Sequence, residues 1–293
     1  MARLCWGSII KEGFVLSKGT PRFQQLQTTV NYLKEQVGPA PKVAIILGSG
    51  LAGLGDQIHD AKVISYDDIP GFAEVTVPGH KSRLISGTLE GCSVVAMQGR
   101  FHYYEGYGME TVVYPVQVFA LWGVENLIVT NATGGINLTF SVGDLMLIRD
   151  VITLFCPSPL QGKNVEELGP RFFDMTKPFS EELLHLAREV GKTEGIPLRE
   201  GVYVYAQGPH FETPADIRLL RLLGGDVVGM STVPEVIAAR HASMRILGIS
   251  CVTNMAAGVT NSLLNHEEVL EAGVAAGERF TRLVRGIVRG IGG

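Results

Sequence analysis

Hydrophobic residues are set along this chain in two alternating rhythms. The first is a spacing of three and four: Phe23, Leu26, Val30, Leu33 and Val37 follow Thr20-Pro21 and stop at Gly38. Thr as N-cap, Pro in the first turn and Gly as a stop predict one helix between those points. The second rhythm is a short unbroken apolar run. Val43-Ala44-Ile45-Ile46-Leu47 ends at Gly48-Ser49-Gly50, which predicts a buried strand handing a loop to one edge of a sheet. Further strands are predicted over Arg83–Leu89 and Cys92–Gln98, turned at Glu90-Gly91 as a hairpin. Others follow over Leu127–Thr130, Asp144–Ile152, Gly201–Tyr205, Asp226–Gly229 and Ile246–Thr253. Helical stretches fall between them: Thr111–Trp122 with Pro115 near its first turn, Ser180–Thr193, after Thr213-Pro214, near Pro234, and from Asn265 onward. Thr153–Pro178 carries neither rhythm, and a loop of that length is usually functional or lies at an interface.

Strands alternating with helices predict an α/β protein with a parallel or mixed sheet. The 293 residues, 46% of them hydrophobic, suffice for one large domain or two small ones, and no repeat, low-complexity tract or linker marks a boundary. Residues 1–20 hold a short apolar patch interrupted by Lys11 and Glu12. They read as a poorly ordered N-terminal extension rather than a signal peptide, leaving 21–293 as the folded unit. No apolar run is long enough to cross a bilayer, and a net charge of −4 gives no general attraction to nucleic acid or anionic membrane. Cys5, Cys92, Cys156 and Cys251 are far apart with no CxxC pair, so reduced thiols of a cytoplasmic protein are expected, not disulfides or a metal site.

The candidate chemistry sits where apolar runs end in glycine. Backbone N–H groups at Gly48-Ser49-Gly50 can approach an anion closely, and Ser49 adds a hydroxyl. Gly48, Gly50 and Gly53 also match the dinucleotide fingerprint G-x-G-x-x-G, with Asp67 and Asp68 about where a ribose-binding acid belongs. A NAD-dependent oxidoreductase is therefore one alternative. Against it, Gly53 and Gly55 interrupt the stretch where a helix should begin, and the Asp pair precedes a turn. The strand ending at Gln98 leads into Gly99-Arg100-Phe101-His102-Tyr103-Tyr104-Glu105-Gly106, the richest polar–aromatic cluster in the chain. In extended backbone Arg100, His102 and Tyr104 share one side. A guanidinium can clamp phosphate through two parallel bonds, with an imidazole as further donor. His80, in Val77-Pro78-Gly79-His80, reads equally as a solvated turn residue or as part of an anion-lining loop. Glu212 reads either as a charge favouring a helix N-terminus or as a carboxylate beside Phe211 able to accept two N–H donors from a flat heterocycle. Ser231 lies near a helix N-terminus, an anion-friendly position, while Glu235 reads either as a helix-start acid or as a catalytic one, and His266 as a helix-end surface residue.

Seven segments together resemble those of trimeric purine nucleoside phosphorylases, in the family's order and over roughly Pro21 to the C-terminus. They are Ile46-Leu47-Gly48-Ser49-Gly50-Leu51, Val77-Pro78-Gly79-His80, Gln98 to Gly106, Thr130-Asn131-Ala132-Thr133-Gly134-Gly135, Gly208-Pro209-His210-Phe211-Glu212-Thr213, Gly229-Met230-Ser231-Thr232-Val233-Pro234-Glu235 and Asn265-His266-Glu267-Glu268. The resemblance implies a single α/β domain with a central mixed, twisted, partly barrel-like sheet flanked by helices, and a homotrimer. It implies phosphorolysis of purine nucleosides with phosphate as co-substrate and no cofactor or metal. By position, Ser49, His80, Arg100, His102, the Ala132 backbone and Ser231 would hold phosphate. Tyr104 and Met230 would contact ribose and His266 its 5′-hydroxyl. Tyr203 and Phe211 would border the base, Glu212 and Asn254 would bind its edge, and Phe172 would reach a neighbouring subunit's site. Asn254, where relatives preferring 6-aminopurines usually carry Asp, implies inosine and guanosine over adenosine. Together with His266 it disfavours a methylthioadenosine phosphorylase, the alternative within the fold. Two departures from the family pattern, His210 beside the base pocket and the short loop Ala256–Leu264, bear on base preference and on closure of the site.

Overall fold

In a computed structural model, which describes residues 20–77, 81–261 and 263–293, the sheet is built around β1 (Val43–Leu47). All five of its residues are buried. It lies parallel to β4 (Cys92–Gln98) on one side and to β5 (Asn126–Gly135) on the other, which is why its sequence is apolar on both faces. Beyond β4 the predicted hairpin brings in β3 (Arg83–Leu89), and β2 (His59–Ser65) forms the edge. On the other side the order runs β5, β8 (Val227–Gly229), β7 (Leu198–Tyr205), β6 (Leu145–Ile152) and β9 (Arg245–Met255). The last of these pairs back onto β5 in parallel from Asn126↔Arg245 to Gly135↔Met255. Five strands thus close on themselves, and the mixed, partly barrel-like sheet expected from the resemblance is present.

Helices cover the sheet in two groups. α1 (Pro21–Val37), α2 (Met109–Val112), α3 (Tyr114–Trp122) and α6 (Val233–His241) pack on one another, and α6 reaches β9. α4 (Glu181–Glu194) and the long α7 (His266–Gly292) pack together, α7 also against β3, β4 and β9. α5 (Pro214–Leu222) lies over a smaller apolar cluster with Ile136, Val204 and Val228. Among the described residues no helix is long and apolar enough to cross a membrane.

Most expected elements appear with their caps. Thr20, Ser180, Thr213 and Asn265 each accept an amide of their own helix. Three departures have physical reasons. β2 carries no strand signal because it is an edge, exposed along almost its whole length, with a register shift between His59 and Lys62. The helix expected over Thr111–Trp122 begins earlier and breaks at Val113, where Pro115 restarts it as α3. β5 and β9 run past their apolar cores, because pairing with each other, and of β5 with β8, continues to Gly135 and Met255. That extension puts Ala132 and Asn254 on strands rather than in loops. Residues 1–19 and His80 lie outside the described residues.

Candidate active site

Strand ends, a turn and a helix start meet at one cavity of about 110 Å³. The loop after β1 gives Ser49, the segment after β4 gives Arg100, His102 and Tyr104, and β5 gives Asn131, Ala132, Thr133 and Gly134. The connection into α5 gives Phe211 and Glu212, and the junction of β8 with α6 gives Met230 and Ser231. β9 gives Thr253 and Asn254, and α7 gives His266 and Val269. Close approach requires glycine at two points. A Cβ on Gly48 would lie 2.7 Å from the Asn131 Cα, and Gly50, at φ +75°, has Gly273 of α7 against its backbone.

Part of the lining is cationic. Arg100 is 2% exposed, with Nη1 donating to Ser231 Oγ at 2.9 Å and Nε 3.1 Å from Glu235 Oε1. Its Nη2 has no hydrogen-bond partner among the described residues. A buried guanidinium edge without an acceptor is costly unless a ligand supplies one, and an oxyanion fits that edge. His102 is also buried. Its Nδ1 lies 3.0 Å from Glu105 Oε1, which accepts the His102 amide at 2.8 Å, while Glu105 Oε2 accepts the amide and hydroxyl of Thr76. Burial pushes the Glu105 carboxyl up, but these bonds, that from the His102 ring first, outweigh it and bring it to about 2. Desolvation lowers the His102 imidazole below its ordinary value, against the pull of Glu105. A neutral imidazole beside an ionised carboxylate carries its proton on Nδ1.

The same cavity offers a carboxylate and an amide. Glu212 is largely buried, and desolvation raises its carboxyl above the usual range. Asn254 Nδ2 donates to the Met255 carbonyl at 3.2 Å, and its Oδ1 accepts from Thr253 at 3.3 Å. Phe211 stands at the mouth, 36% exposed.

Eleven of the fourteen expected site residues therefore line one cavity. Tyr104 arrives there through a 3-10 turn (Tyr103–Glu105), not through extended backbone, and stacks on His102 with ring centres 4.7 Å apart. Two others lie elsewhere. Tyr203 does not border the cavity: its ring is wholly buried behind the wall and its hydroxyl accepts the Ser231 amide at 3.2 Å. Phe172 stands on the surface, 87% exposed. The residue-type reading missed Asn131, Thr133, Thr253 and Val269, which have no unusual chemistry, and the supporting acids Glu105 and Glu235. The glycine fingerprint opens a 3-10 turn (Ala52–Gln57) instead of an α-helix and leads to the antiparallel edge strand β2, so the dinucleotide-binding βαβ unit is not formed.

Residues 42–289 match the family model described as the Phosphorylase superfamily, and the chain belongs to that family. Its relatives narrow the class. It is 52% identical over 264 residues to purine nucleoside phosphorylase 1 of Geobacillus stearothermophilus, covering 90% of this chain and 96% of that protein. It is 47% identical to the purine nucleoside phosphorylase of Mus musculus, covering 89% and 93%. Among solved structures, the Schistosoma mansoni purine nucleoside phosphorylase in complex with adenosine superposes with a TM-score of 0.86 at 38% identity, covering 91% of this chain and 96% of that one.

Proposed function

We propose that the cavity is a phosphorolytic site with its anion end at Arg100 and its base end at Glu212. The chain catalyses reversible phosphorolysis of purine nucleosides and 2′-deoxynucleosides to free base and (deoxy)ribose 1-phosphate. The observation that carries this reading is that one cavity holds both a buried guanidinium with an uncommitted edge and, on other elements, a carboxylate and an amide.

Phosphate is held by Ser49, Arg100, His102, the Ala132 backbone and Ser231. The bond from C1′ to the purine nitrogen breaks, its electron pair leaves with the base, and a phosphate oxygen bonds to C1′. Positive charge grows on the ribose ring above the phosphate while negative charge grows on the base. Asn254 donates to the base as that charge develops, so it acts more strongly in the transition state than in the ground state, while Glu212 accepts N–H groups of the base edge and orients it. Tyr104 and Met230 lie along the ribose, and His266, at the start of α7, meets its 5′-hydroxyl. Tyr203 supports Ser231 from behind.

Asn254 can donate to the oxygen of a 6-oxopurine, so inosine and guanosine are preferred over adenosine. The assembly is a homotrimer in the cytoplasm; Phe172, Leu222 and Leu154, exposed by 87%, 85% and 78%, are apolar surface of the kind a partner subunit covers. Base release from inosine, guanosine and adenosine, each with and without phosphate, tests the reading. Release from inosine that does not depend on phosphate, or equal kcat/KM for adenosine, overturns it. Light scattering behind a sizing column tests the trimer.

A further inference from the structure

Behind the anion end stands a carboxylate that touches no substrate in the reading above. Glu235, in the first turn of α6, is 3% exposed, and both of its oxygens are occupied. Oε1 is 3.1 Å from Arg100 Nε, and Oε2 accepts the Thr232 amide at 2.7 Å. Thr232 sits at φ 70°, ψ −51°, a conformation a β-branched residue rarely holds. The Val233 amide donates back to the Ser231 carbonyl at 2.7 Å, which closes a γ-turn. Asn131 Nδ2 ties the same turn down by donating to Thr232 Oγ1 at 2.8 Å. A strained turn of this kind persists only where its surroundings over-determine it. Its product is the placement of Ser231, whose Oγ accepts from Arg100 Nη1. Glu235 therefore holds Arg100 directly and Ser231 through the Thr232 turn.

We propose that Glu235 is the positioning residue of the phosphate subsite, fixing the guanidinium of Arg100 and the hydroxyl of Ser231 at the spacing an oxyanion needs. This rests on the phosphorolytic reading. Charge alone argues for the opposite effect, since removing a carboxylate from the neighbourhood of a dianion relieves repulsion and should tighten binding. Positioning makes the sign negative: without the carboxylate Arg100 loses the ion-pair partner that sets its rotation, and Thr232 is free to relax. Glu235→Gln separates the two. The amide oxygen can still accept the Thr232 N–H, but its NH2 then faces Arg100 Nε, donor against donor.

The experiment measures KM for phosphate and for inosine, and kcat, for the wild type, Glu235→Gln and Glu235→Asp, with melting temperature read with and without phosphate. A wild type without phosphate-dependent base release removes the phosphorolytic reading itself and is recognised separately. With an active wild type, Glu235→Gln is expected to raise the phosphate KM by roughly 10- to 100-fold, the range that outer-shell orienting groups command, while the inosine KM moves by less than about 3-fold. Glu235→Asp keeps the charge but is one methylene too short to reach both partners, and is expected to shift the same way. It carries the test if the Gln variant does not fold. An unchanged or lowered phosphate KM, or both KM values rising together, overturns the proposal. So does a melting temperature that responds to phosphate as the wild type does.

Discussion

The contact between Gly50 and Gly273 joins the loop that carries Ser49 to the helix that carries His266, and Gly273→Ala tests what that contact is for. A Cβ at Gly273 would lie 2.9 Å from Gly50 Cα, 3.1 Å from the Ser49 carbonyl oxygen and 3.5 Å from Gly50 C. All three are backbone atoms, so none can turn aside. Carbon atoms at rest stand about 3.5–4.0 Å apart, so loop and helix must separate by roughly 0.6 Å or more. Overpacking of this kind costs about 1–3 kcal/mol. Replacing a helical glycine by alanine returns about 0.8–1.0 kcal/mol. The net expectation is a loss of about 0–2 kcal/mol in stability. Activity suffers more, since a misplacement of about 1 Å at a reacting site can cost ~10²-fold; kcat/KM for phosphate is expected to fall at least ~10-fold. Gly277→Ala is the matched control. It lies on the same helix, but its Cβ meets nothing within 4 Å. It carries the same gain in helix propensity without the clash, so it is expected to raise stability by about 1 kcal/mol, roughly 2 °C for a chain of this size, with activity unchanged. Thermal melts and initial rates at varied phosphate compare the two variants. If Gly273→Ala proves as stable and as active as Gly277→Ala, the close approach has no role in holding Ser49.

Three further outcomes are expected. Asn254→Ala should lower turnover of inosine by about 10²–10³, the usual effect of losing one donor aimed at developing charge; an unchanged rate would remove its role. For Glu212, desolvation raises the carboxyl above its ordinary 4.5, and only the ionised form accepts two N–H groups. The kcat/KM for inosine, which reports the free enzyme, should therefore fall on acidification through a pKa above 4.5, and that limb should be missing from the profile of Glu212→Gln. Glu105 shifts the other way, from 4.5 to about 2. Its contribution to stability is complete above the unfolded-state pKa and fades as the pH falls toward the folded one, so the gap between wild type and Glu105→Gln in urea unfolding should be full near neutrality and shrink below about pH 4.5.

The parts of the fold that were legible in the sequence are those whose signals are local. The apolar run of β1 announces burial on both faces because parallel neighbours cover it on either side. The caps at Thr20, Ser180, Thr213 and Asn265 announce helix starts because a hydroxyl or amide within three residues satisfies the orphan amides. What was not legible depends on distant partners. Nothing in Asn131-Ala132-Thr133-Gly134-Gly135 says strand, and only pairing with β9 and β8 makes it one. Likewise the resemblance sets Tyr203 against the base, whereas its hydroxyl is committed to Ser231 and its ring is sealed away.

The supporting acids show the same limit most sharply. Three segments share one local pattern, in which an acid reaches back three residues to an amide: His102 with Glu105, Thr232 with Glu235, and Thr213 with Asp216. The sequence alone does not tell the three apart. In the folded chain Asp216 stays exposed and caps α5, with no further duty visible. The side chains of Glu105 and Glu235 are only 1% and 3% exposed, and each uses its capping geometry to hold a second group, the ring of His102 or the guanidinium of Arg100. The local interaction is the same in all three. What separates a cap from part of a binding site is burial against a cationic or polar side chain that lines the cavity. A capping acid is already held rigidly by its own turn, so placing an anion-binding side chain against it fixes that side chain with little further loss of freedom.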